Sequence, residues 1–188
     1  MYMKSILLAF PFFFLLLTAR AAFAEQSSPI CAISVLPAGI SEIVKSNFVG
    51  WRIKKTEDLD PYLQELWKKS KPNRCPGITS GHFLDMAKRT FAVLLVPETP
   101  DQKGYKVVVF AEPDGKLQTT QAIIVVDVKD QGGEDIVIYR LPPGVYSPPE
   151  NDNRIRSHLD GLQVERMEVT TTVYFWRNNH FEGLRTSD

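Results

Sequence analysis

The spacing of apolar residues divides the chain into three textures. From about Ile6 to Leu17 they run almost without interruption, and from Ile40 to Trp67 they recur every three or four positions. Beyond Cys75 they fall into short β-branched and aromatic runs separated by turn residues. The middle texture is that of amphipathic helices, in which offsets of three and four share one face. Ile40, Ile43, Val44 and Phe48 mark the first such face, opened by Pro37-Ala38-Gly39. Residues 48–53 then alternate as a strand does. Leu59, Tyr62, Leu63, Leu66 and Trp67 mark a second helix over 61–69. Asp60-Pro61 supplies its N-cap and first-turn proline, Lys68, Lys69 and Lys71 suit the negative end of its dipole, and Pro72 stops it.

The third texture predicts strands at about 78–83, 91–97, 105–111, 117–126, 136–141, 162–168, 170–177 and 181–185. Asp114-Gly115 and Asn178-Asn179 have the chemistry of tight hairpins, which makes the flanking strands antiparallel neighbours. Val93 to Val96 and Ile123 to Val126 lack polar alternation, so both strands are expected to be covered on both faces, by the two N-terminal helices. The segment 141–153 carries Pro142, Pro143, Pro148 and Pro149, and such spacing cannot sit inside a sheet. The expected architecture is α+β: mainly an antiparallel sheet or partly open barrel, with two short N-terminal helices.

The first texture is too short for a membrane span, which needs roughly 20 apolar residues. Lys4 ahead of it and Ala22-Phe23-Ala24 behind it read as a secretory signal peptide over 1–24. That leaves residues 25–188 as one β-rich domain with no span after cleavage, and a periplasmic or secreted location follows. The whole chain balances 22 basic against 22 acidic residues, and no long basic run offers a phosphate-tracking surface for nucleic acid. Cys31 and Cys75 are the only cysteines, and export predicts a disulfide between them. Closing a loop of about 45 residues restrains the unfolded chain by roughly 4 kcal/mol in the chain-entropy account.

Residues Cys75-Pro76-Gly77-Ile78-Thr79-Ser80-Gly81-His82-Phe83, followed by Phe91 to Leu95, resemble one degenerate unit of the FG-GAP/VCBS class of extracellular β repeats. That class uses an acidic, glycine-rich calcium loop. Here His82 stands where its leading Asp is expected, and Leu84, Met86 and Thr90 replace ligands, leaving Asp85 as the one charged oxygen donor. Calcium takes six to eight oxygens, so no calcium is expected at this loop. Trp51, Trp67, Cys75-Pro76-Gly77 and the stretch from Tyr174 to Asp188 extend a looser similarity to small exported bacterial proteins of unassigned function, which brings no catalytic residue with it.

Candidate chemistry is sparse. His82, His158 and His180 have no zinc-ligand spacing, and Ser80, His82 and Asp85 contain the residue types of a hydrolytic triad without a nucleophile-elbow motif. The loop from Asp127 to Asp135 has four carboxylates and two glycines but no recognised ligand register. Cofactors are therefore expected to be none. Alternation over 170–177 puts Val173 and Phe175 on one side and Tyr174 and Trp176 on the other. Tyr174, Trp176 and Tyr146, with Arg177 at the edge, are the candidate binding residues, since Trp, Tyr and Arg are the usual interface anchors. The expected function is an exported, non-catalytic module that binds a protein or envelope component, inhibitor-like or immunity-like. The competing expectations are an envelope hydrolase and a structural or assembly factor.

Overall fold

The computed structural model describes residues 29–111, 119–148 and 154–187. The predicted signal peptide, the Asp114-Gly115 turn and the end of the proline segment, from residue 149 to 153, lie outside these residues. Helix α1 (Ala38–Asn47) and helix α2 (Pro61–Ser70) form where the periodicity places them. Asp60 caps α2, its Oδ1 accepting the Tyr62 N–H at 2.9 Å, with Pro61 in the first turn. The strand expected over 48–53 is confined to β1 (Trp51–Ile53). Gly50 turns the chain at φ +80°, and Phe48 completes the apolar face of α1 instead.

Two antiparallel sheets follow. The first contains β1, β2 (Ile78–Asp85), β3 (Lys88–Pro97), β4 (Tyr105–Ala111) and β5 (Gln121–Val128). The second runs β11-β10-β9-β6, from β6 (Ile136–Leu141) through β9 (Gly161–Arg166) and β10 (Thr170–Arg177) to β11 (His180–Ser187). Asn178 and Asn179, both with positive φ, make the β10–β11 turn as their sequence predicts. A separate hairpin of β7 (Gly144–Tyr146) and β8 (Ile155–Ser157) arises within the proline-punctuated segment.

The long strand β3 organises the first sheet, with β4 on one edge and β1 and β2 end to end along the other. Its inward residues Ala92, Leu94 and Val96 meet Ile136, Ile138, Leu162 and Val164 of the second sheet. Its outward residues Val93 and Leu95, with Val108 and Phe110 of β4, lie under Ile40, Val44 and Phe48. Helix α2 covers the other sheet, packing Leu59, Leu63 and Trp67 against Val137 and Met167. The layers are therefore helix, sheet, sheet, helix, and the described strands close no barrel.

Two-sided burial holds for Val93 to Val96 but not for Ile123 to Val126. β5 is an edge strand. A register shift opposite Val107 and Val108 leaves Val125, Val126 and Val128 against the core and Ile124 53% exposed. An unbroken apolar run thus marks an edge strand here, because one bulge changes which side chains reach the interior.

Where β1 meets β2 on the edge of β3, packing is unusually close. The Leu94 N–H donates to Gly77 O at 2.9 Å and the Lys54 N–H to Leu94 O at 3.0 Å. A Cβ at Gly77 would lie 2.2 Å from the Lys54 carbonyl oxygen, so only glycine fits. The predicted Cys31–Cys75 disulfide is formed beside this junction, with Cα atoms 5.1 Å apart, tying the chain before α1 to the start of β2. Lys54 itself is completely buried. Its Nζ donates to Gly133 O and, at 3.3 Å, to Asp58 O, bridging β1 to the loop between the two sheets. Burial pushes its ammonium down to about 8, against the opposing pull of Asp58, Glu134 and Asp135. Arg52 forks onto Asp58 at 2.5 and 2.7 Å. Burial disfavours the Asp58 anion, but this fork, the Lys55 N–H and the nearby cations outweigh it and hold the carboxyl below its ordinary range.

Gly77→Ala is expected to lower the unfolding free energy by about 1–3 kcal/mol, an overpacking cost measurable by urea denaturation. The Lys54 ammonium is disfavoured in the fold, so the folded state loses its proton near pH 8 and the unfolded chain near 10.5. Between those values the unfolded chain binds more protons, and this residue's contribution to stability rises with pH. The stability of wild type relative to Lys54→Met is accordingly expected to increase by about 3 kcal/mol from pH 8 to pH 10.5. A flat difference would place the ammonium in water.

Candidate functional site

Sheets one and two meet along a seam between β2 and β6. The Ile138 N–H donates to Pro76 O at 2.9 Å, and the Asp160 N–H to His82 O at 3.1 Å. Asp160, 3% exposed, locks the seam from inside. Its Oδ2 accepts the His82 N–H at 2.7 Å, lies 3.6 Å from His82 Nδ1 and 3.7 Å from Arg140 Nη1. A Cβ at Gly81 would come within 2.8 Å of both Asp160 Oδ2 and Arg140 Cδ, so this glycine makes room for the charged pair.

Outside the seam lies an open cavity of about 590 Å³, walled by the chain between α2 and β2, by β2 and β3, and by β6. Three arginines line it, Arg74, Arg89 and Arg140, together with Asn73, Thr79 and Ser80, and no acidic residue is among the described residues of its wall. Each arginine is placed by local structure. Trp67, buried in the α2 face, donates its indole N–H to Arg74 O at 2.9 Å and pins the bend that Asn73 makes at φ 60°. Arg89 forks Nε and Nη2 onto Ser80 Oγ at 3.0 and 2.7 Å across the β2–β3 pair. Arg140 leans on Asp160 at a separation longer than a hydrogen bond. Tyr139 completes the wall. Burial, then a hydrogen bond to Glu165, pushes its phenol up, so it remains a neutral hydroxyl at any physiological pH. Arginine keeps its charge and presents a planar fork suited to carboxylate and phosphate oxygens, so this wall can bind an anion.

A second cavity of about 470 Å³, beside the disulfide and lined by Val44, Phe48, Val49 and Trp51, is mainly apolar and has Glu98 among its cations. Convergent charge singles out the first.

The residues singled out from sequence do not assemble. Tyr174 and Trp176 project toward the interior side of β10, where Tyr174 packs against the core and Trp176 meets Phe181 edge-on at 5.0 Å. Tyr146 lies on the opposite side, its ring 4.9 Å from that of Phe175 and its hydroxyl donating to Pro142 O. One exposed patch of all three is therefore corrected: alternation puts Phe175 and Trp176 on opposite faces, and the β7–β8 hairpin follows Phe175. Arg177 sits in the open at 3.5 Å from Glu182. Ser80 receives Arg89, Asp85 Oδ1 accepts the Ala87 N–H at 2.7 Å, and His82 turns to Asp160, so those three are engaged separately. In the acidic loop, Asp127 pairs with Lys106 at 2.5 Å and Asp135 with Arg166 at 3.0 Å. Among the described residues no group of three or more His, Cys, Asp or Glu is placed to hold a metal ion.

Comparison of the chain with protein-family models, curated proteins and solved structures finds no match. Among the described residues no helix is long and apolar enough to cross a membrane.

The three arginines escaped the sequence reading because they come from a loop, a hairpin and a strand of the other sheet. The one local signal was the run of cations from Lys68 to Arg74. Trp176→Ala and Tyr146→Ala are each expected to cost about 1–3 kcal/mol of stability, since each removes a ring packed on another. Denaturation midpoints unchanged in both variants would restore the shared exposed patch.

Proposed function

We propose that this chain is an exported, non-catalytic binding module that takes an anionic group of an envelope component into the cavity on the β2–β6 seam. The convergence of Arg74, Arg89 and Arg140 on a wall with no acid among its described residues carries the reading. Three cations that face one space repel each other unless an anion joins them, so the arrangement gains energy when occupied. The groups around them are already braced: Ser80 orients Arg89, Trp67 fixes Arg74 and Asp160 steadies Arg140. Such preorganisation lowers the entropy cost of binding. The cavity offers hydroxyl, amide and guanidinium donors, which suit recognition rather than bond breaking.

Export supports an envelope setting. The leader carries the charge, apolar run and small-residue site of a secretory signal, and the Cys31–Cys75 disulfide suits an oxidising compartment, periplasmic or extracellular.

Calorimetric titration with inorganic pyrophosphate tests the site. Arg89→Gln is expected to weaken binding about tenfold, the size of a lost charge-assisted hydrogen bond, with little change in melting temperature. Arg140→Gln is expected to weaken it as much and also to lower the melting temperature, since it takes a cation from buried Asp160. Wild-type affinity in both variants would remove the cavity from consideration.

A further inference from the structure

The basic wall does not end at Arg74. A second, smaller cavity of about 270 Å³ opens along the carboxyl end of α2 and shares Ile30, Trp67, Asn73 and Arg74 with the first. Lys68 and Lys71 line it, opposed by Glu57. Lys68 lies 3.4 Å from Glu65 with both side chains well exposed, a pair of negligible strength in water. Lys71 stands 4.8 Å over the ring of Tyr139, which is itself part of the first cavity's wall. The two spaces therefore adjoin at Arg74, and Lys71 of the smaller one stands over Tyr139 of the larger.

We infer that the adjoining cavities form a track for a linear polyanion, whose successive anionic groups are held by Lys68 and Lys71 in one cavity and by Arg74, Arg89 and Arg140 in the other. This rests on the reading of the arginine cavity as an anion site and adds the form of its ligand. A single compact anion can satisfy the three arginines but leaves the two lysines to the Tyr139 ring under Lys71, the loose Glu65 contact of Lys68 and Glu57 in the same wall. A chain with repeated charges engages both cavities at once, and the second contact is then made at high effective concentration. The two cation types suit this division. Arginine forks orient an oxyanion, whereas lysines on a helix end act as mobile point charges along a passing chain.

The test compares ligands of graded length: orthophosphate, tripolyphosphate and long-chain inorganic polyphosphate in one series, galacturonic acid and its oligomers in another. Titrations use the purified chain as its expression host exports and processes it. Within at least one series, the long member is expected to bind about 100-fold more tightly than the single unit, and which series responds identifies phosphate or carboxylate as the repeated group. The Lys68→Ala, Lys71→Ala double variant is expected to lose about tenfold for the long member only. Arg89→Gln should weaken every length. Equal affinity for short and long members, or no effect of the lysine variant on the long one, overturns the track while leaving the arginine site standing. Failure of every probe to bind, or of Arg89→Gln to alter any binding, overturns the site and the track together.

Discussion

From Ala92 to Val96, strand β3 has no wet face. Val93 and Leu95 point into the layer beneath α1, while Ala92, Leu94 and Val96 point into the space between the sheets, and all five are buried. A strand of this kind must be covered twice, so one helix and one whole sheet are committed to it before any other contact is considered. The order of layers follows. β4 shares both faces of β3, the second sheet closes the inner side, and α2 is left to cover the back of that sheet through Leu63 and Trp67.

The same strand is longer than any single partner on its second edge, which β1 and β2 divide between them. Their junction is closely packed: a glycine touching a carbonyl, a disulfide, and a lysine whose charge is taken out of water. A buried ammonium is costly, and it persists because the Gly133 and Asp58 carbonyls receive it while Glu134 and Asp135 surround it with opposite charge. The result ties β1 to the loop that passes from one sheet to the other. It fixes how the sheets are stacked near β6, and hence the shape of the cavity on the seam.

The seam also explains why a basic wall survives beside a folded core. Asp160 neutralises Arg140 from behind, inside the protein, leaving the outward side of the guanidinium uncommitted. Ser80 and the Arg74 carbonyl, neutral groups, brace the other two positions. Arg74 and Arg89 are therefore held by groups that leave their charge unspent, while Arg140 shares its charge with Asp160 at 3.7 Å. This distinguishes Arg74 and Arg89 from cations elsewhere in the fold, where Lys106 pairs with Asp127, Arg166 with Asp135 and Arg52 with Asp58.

Local physical chemistry was readable without coordinates. The period of Ile40, Val44 and Phe48, the Asp60-Pro61 start, the paired asparagines at 178 and 179 and the bounds of β4, β6 and β10 all express interactions within a few residues or one strand pair. The Cys31–Cys75 bond was readable because no other pairing exists within the chain. Packing decided what such rules leave open. Alternation separates Phe175 from Trp176 but does not say which side meets the core, and only the stacking of sheets and the β7–β8 hairpin sent Trp176 to Phe181 and Phe175 to Tyr146. A bulge opposite Val107 turned the apolar run of β5 into an exposed edge. The arginine wall is the extreme case. Arg74, Arg89 and Arg140 share no local pattern, and they meet because β2 and β6 lie side by side in space while remaining far apart along the chain.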